Sequence, residues 1–112
     1  MSSFSEKGLL GELEQLVLLA VVRLDNEAYA VAVRDEIHRQ TAIDLGRSSV
    51  YVTLERLERK GYLSSEFGDP TPERGGKAKR FFAVTPAGRQ ALKAAGDAVR
   101  RLRKTVPTRS RS

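Results

Sequence analysis

Leu9, Leu13, Leu16, Val17, Ala20 and Leu24 recur every three or four residues, the interval that stacks side chains on one face of an α-helix. This spacing predicts a first helix over residues 9 to 24. Leu18, Leu19, Val21 and Val22 carry apolar character around most of its girth, which implies burial on more than one side, beyond what one small core covers. A turn at "LDNEA" follows, and Tyr29, Val33 and Ile37 mark a shorter second helix ending near Thr41. Past the link "AIDL", the stretch "GRSSVYVTLERLERKG" predicts a third helix over about residues 47 to 60. Val50, Leu54 and Leu57 form its inward face, Ser48 or Gly46 can cap its start, and Gly61 supplies a left-handed stop.

The pattern then changes period. "YLSSEF" and "KRFFAVT" read as two strands, separated by a loop whose Pro70, Pro72, Gly75 and Gly76 exclude regular structure. "TPAG" places a threonine cap before Pro86, which opens a last helix running to about Lys104. Along it Leu92, Ala95, Val99, Leu102 and Val106 alternate three- and four-residue steps. That is the seam of a short coiled coil, and it needs a partner. Three helices followed by a hairpin is the order of a winged helix-turn-helix. The expected fold is thus mainly α with a small β-hairpin: a winged helix-turn-helix over residues 9 to 85 and a C-terminal dimerisation helix over 86 to 104. A flexible N-terminus at residues 1 to 8 and a disordered basic tail at 105 to 112 flank them.

Composition narrows the function. The 112 residues include no cysteine, which excludes disulfides, thiolate metal sites and cysteine nucleophiles. The longest apolar run, Leu16 to Val22, is far shorter than the roughly 20 residues of a spanning helix, and "MSSFSEKG" lacks the order of a signal peptide. A soluble, cytoplasmic protein without membrane contact is expected. Charge is uneven: residues 1 to 69 carry 8 Lys and Arg against 12 Asp and Glu, whereas residues 70 to 112 carry 12 against 2. Clustered cations favour a polyanionic partner, since they displace counterions condensed on phosphates.

On the third helix, the inward stripe leaves Ser48, Ser49, Val52, Arg56 and Arg59 on or near the opposite side, with Arg47 at its start and Tyr51 at its flank. Short hydroxyls at a helix start allow close approach to phosphates and base edges, and an outward Val52 can pack on a thymine methyl. In the hairpin, strand alternation puts Phe82 and Val84 toward the core with Arg80 on the same side nearer the tip, and Phe81 on the other face with Lys77 and Lys79. The aromatics are expected to anchor the hairpin base while Arg74, Lys77, Lys79 and Arg80 ride where a wing meets phosphates.

Enzymatic constellations are missing. His38, the single histidine, falls on the polar side of the second helix, and Asp35, Glu36, Glu55 and Glu58 read as solvated helix faces. "ERGGK" lacks the spacing and ending of a phosphate loop. No catalytic residue, metal or cofactor is expected.

"LLGELEQLVLLAVVRL", "YAVAVRDEI", "SSVYVTLERLERKGYL" and "PTPERGGKAKRFFAVTPAG", in that order, resemble the PadR family of bacterial transcriptional regulators over about residues 9 to 92. The resemblance implies a homodimeric repressor that binds double-stranded DNA at a palindromic operator. By it, Ser48, Ser49, Tyr51 and Val52 occupy the recognition helix and Arg74, Lys77, Lys79 and Arg80 the wing; Arg47 and Arg56 are expected to join the helix's DNA contacts. The dimer is expected to rest on Leu9, Leu10, Leu92, Ala95, Val99 and Leu102. Only one helix follows the wing, as in the shorter family members. A small-molecule effector is open by family analogy, but no residue marks its site. The alternative is a winged-helix module for protein interaction or RNA binding without operator specificity.

Overall fold

The structure, a computed structural model, describes residues 9–68 and 78–104. The expected flexible N-terminus, most of the hairpin loop with Arg74 and Lys77, and the C-terminal tail with Val106 lie outside them. Three helices come first: α1 (Glu12–Leu24), α2 (Ala30–Thr41) and α3 (Arg47–Arg59). An antiparallel hairpin follows, β1 (Leu63–Phe67) against β2 (Arg80–Val84), and then α4 (Pro86–Lys104). Among the described residues, no helix is long and apolar enough to cross a membrane.

The helices form where their apolar positions meet. Val17, Leu18, Ala20 and Val21 of α1 close on Val33 and Ile37 of α2 and on Val50, Leu54 and Leu57 of α3. One core therefore covers most of the wide apolar stripe of α1, and Leu19 is left half exposed. The core thus stops short of the whole stripe, in line with the expectation that one small core cannot cover all of α1. The first turn of α1 is closed by Glu14, whose carboxylate accepts the Gly11 N–H at 2.9 Å, half of a capping box.

Local bonds set how α3 is presented. Arg34 Nε donates to the Leu45 carbonyl at 2.8 Å, holding the link between α2 and α3. Helix α3 starts after Gly46, which caps it without a side-chain bond. It ends where Gly61 adopts φ +84°. There the Gly61 N–H donates to Glu58 and the Tyr62 N–H to Leu57, the paired bonds of a Schellman stop that favours glycine. Thr53 is buried as well, a position the hydrophobic pattern did not mark; its hydroxyl donates to the Ser49 carbonyl at 2.7 Å.

The hairpin pairs Leu63 with Val84, Ser65 with Phe82 and Phe67 with Arg80. The Phe82 N–H donates outward to the Ala28 carbonyl at 2.8 Å, so the segment between α1 and α2 binds the other edge of β2. Phe82 itself is fully in the core. Thr85 links hairpin to helix: its hydroxyl donates to the Gly61 carbonyl and accepts the Gly88 N–H, the cap expected of "TPAG". Helix α4 then packs Ala91, Leu92 and Ala95 on the core and leaves Val99 and Leu102 exposed farther along.

Candidate nucleic-acid interface

Because Val50, Thr53, Leu54 and Leu57 turn inward, 3.6-residue geometry turns Arg47, Ser48, Ser49, Tyr51, Val52 and Arg56 outward, and all six are exposed. Val52 is 49% and Tyr51 40% accessible. The start of α3 thus offers two small hydroxyls and a methyl-bearing side chain, a surface that backbone phosphates and base edges can approach closely. Arg56 and Arg59 extend the same surface as cations toward its end.

The base of the hairpin is fastened on two sides. Lys79 Nζ lies 3.6 Å from the centre of the Tyr29 ring at the start of α2, a cation–π contact. Phe81 meets the same ring edge-on, with centroids 5.7 Å apart. Phe82 is in the core and Phe81 packs outside it, as alternation along β2 requires.

Arg80 departs from the expected wing cation. Rather than extending outward, its guanidinium folds back onto α3. Nη1 donates to the Tyr51 hydroxyl at 2.7 Å and to Glu55 at 3.3 Å, Nη2 to Glu58 at 2.5 Å, and Nε to Ser65 at 3.1 Å. The Ser65 hydroxyl in turn donates to Glu58 at 2.8 Å. Burial disfavours the charged guanidinium, but the bonds to Glu55 and Glu58 outweigh that and raise its pKa. The physical reason lies in β2: Arg80 shares a face with Phe82, and that face looks onto α3.

The acids are corrected with it. Glu55 and Glu58 are half-buried partners of Arg80, not solvated faces. Glu36 is buried and bonded by Arg23, Arg39 and Gln40, and hydrogen bonding from Arg23 leads the effects that hold its pKa below the usual value. Asp35 and His38 are exposed, as read. Two expected dimer residues are also relocated: Leu10 and Ala95 are covered by their own protomer's core. Tyr29, read as marking the second helix, stands just before α2 and holds Lys79. Among the described residues no group of His, Asp or Glu is placed to hold a metal ion.

Sequence and structure comparisons agree on kinship. The profile described as the Transcriptional regulator PadR-like family matches residues 18–94. The fold is similar to that of a PadR-like transcription factor from Bacteroides fragilis, 22% identical, covering 83% of this chain and 84% of that one with a TM-score of 0.68. It is likewise similar to a PadR family transcription regulator from Clostridium difficile, 18% identical over 84% of this chain and 93% of that one, TM-score 0.68. A PadR-like transcriptional regulator from Bacillus cereus is 14% identical over 83% and 85%, TM-score 0.66. Comparison with curated proteins gave no match. With its profile match running from α1 into α4 and its three helices, hairpin and last helix in the same arrangement, the chain belongs to the PadR-like family of transcriptional regulators, a non-enzymatic family.

Proposed function

We propose that the protein is a cytoplasmic, homodimeric repressor that binds a palindromic operator in double-stranded DNA. In this reading the outward face of α3 lies in the major groove. Ser49 and Val52 touch base edges, while Ser48, Tyr51, Arg47 and Arg56 approach the backbone. Lys79, with Arg74 and Lys77 of the hairpin loop, meets flanking phosphates. The observation that carries the reading is the exposed start of α3: an apolar Val52 beside Ser48 and Ser49, uncovered by the protomer and flanked by cations.

The dimer in this reading forms through α4, where Val99 and Leu102 stand exposed beyond the protomer core, together with Leu9, Leu19 and the outer side of Leu92. Leu10 and Ala95 drop out because their own core covers them. A two-fold dimer of such domains favours inverted half-sites about 10 base pairs apart. Selection of bound fragments from a random duplex pool, with an RNA pool of equal length as competitor, tests the proposal. Recovery of an inverted repeat is expected. Equal retention of RNA and unrelated duplexes would instead support a binding module without operator specificity.

A further inference from the structure

Helix α3 carries an electrostatic contradiction. Its outer face is suited to a polyanion, yet Glu55 and Glu58 stand on its flank within the same two turns as Tyr51, Val52 and Arg56. Left bare, two carboxylates there would repel phosphates at short range, where opposing charges in a partly dry interface act most strongly. Arg80 removes the contradiction by reaching both of them from β2.

We propose that Arg80 is a positioning residue for DNA recognition and not a phosphate contact: it neutralises Glu55 and Glu58 and fixes the Tyr51 hydroxyl at the groove face of α3. The inference rests on the DNA-binding reading above and deepens it. A guanidinium has five N–H groups, and four of the bonds they can make go to Tyr51, Glu55, Glu58 and Ser65. Only one Nη2 N–H is left over, so to grip a phosphate with two N–H groups Arg80 would have to release one of these partners, and releasing Glu55 or Glu58 would present a bare carboxylate to the DNA. Its stacking 5.0 Å from the Phe82 ring centre further ties it to the core.

The chemistry of the bond to Tyr51 has a direction. Arg80 donates, so the phenol oxygen accepts, and the phenol's own proton is left to be donated elsewhere. On an exposed ring, an acceptor such as a phosphate oxygen can take it. A lysine at position 80 supplies charge but not the planar fork that serves a carboxylate and a phenol together.

Four variants and their combinations decide the matter: Arg80→Ala, Arg80→Lys, Tyr51→Phe and Glu55→Gln/Glu58→Gln, with each Arg80 change also combined with each of the other two. Affinity for the selected operator is read at three salt concentrations, with thermal melts as a check of folding. Arg80→Ala is expected to weaken binding in the parent, to do so far less in the Glu55→Gln/Glu58→Gln background, and to keep the salt slope. Arg80→Lys, which covers the case of an unfolded alanine variant, should lose what Tyr51→Phe loses, and the two together no more than either alone. A phosphate contact gives the opposite: Arg80→Ala weakens both backgrounds alike and lowers the slope by about 1, while Arg80→Lys matches the parent. That result overturns this inference and leaves the DNA-binding reading standing. A parent protein that binds no duplex overturns both.

Discussion

Lys60 Nζ lies 2.7 Å from a Glu14 carboxylate oxygen, joining the end of α3 to the first turn of α1 across 46 positions of sequence. Burial alone would push the Glu14 pKa up, but the bonds from Lys60 and the Gly11 N–H outweigh it and hold the group below its ordinary value. A depressed folded pKa means that its stabilisation is complete above the unfolded value and is lost as pH falls through the folded one. Glu14→Gln should therefore lower stability at neutral pH by about 1.5–3 kcal/mol, the range for bonds to charged groups. Urea unfolding should show the deficit shrinking below pH about 4.3.

A second prediction concerns Gly88 in the first turn of α4. A Cβ placed there would stand 2.3 Å from the Tyr62 carbonyl oxygen and 2.9 Å from Val84 Cγ1. The nearer atom is backbone and cannot swing away. Gly88→Ala should destabilise the fold by about 1–3 kcal/mol, as overpacking generally does. It should also loosen α4 from the end of the hairpin, seen as faster amide exchange at Thr85 and Arg89.

Much of this architecture was legible because burial is periodic. Val50, Leu54 and Leu57 announced the inward face of α3, Gly61 its stop, and Thr85 with Pro86 the start of α4. Periodicity says which way a side chain points, not what stands opposite it. Arg80 was placed on the Phe82 side of β2, yet its partners Tyr51, Glu55 and Glu58 lie 22 to 29 residues away on another element. Glu36 was hidden for the same reason, since Arg23 comes from α1. Thr53 escaped notice because its hydroxyl is satisfied within its own helix, so a polar residue type could be buried at little loss. The outward set of α3 needed only the wheel, and its exposure follows from the inward stripe.

The proposed dimer yields a third test. Val99 is 47% exposed on a helix that has already left the core, so Val99→Glu should disturb assembly and not folding. Sedimentation at micromolar concentration should give a dimer for the parent and a monomer for the variant, with unchanged helical circular dichroism. Leu92 is a poorer choice, since it packs partly on its own core. A monomeric parent would remove the dimer from the account.

The central claim is a division of labour, in which the start of α3 reads bases and the wing base holds phosphates. Its most direct test is the affinity of Val52→Ala, Ser49→Ala and Lys79→Ala for the selected operator, its single-base variants and random duplex, each at three salt concentrations. The first two should change preference among operator variants by about 1–3 kcal/mol while the salt slope holds. Lys79→Ala should weaken operator and random duplex alike and reduce the slope by about 1. If Val52→Ala instead loses operator and random duplex equally, or Lys79→Ala keeps the full slope, the division is contradicted.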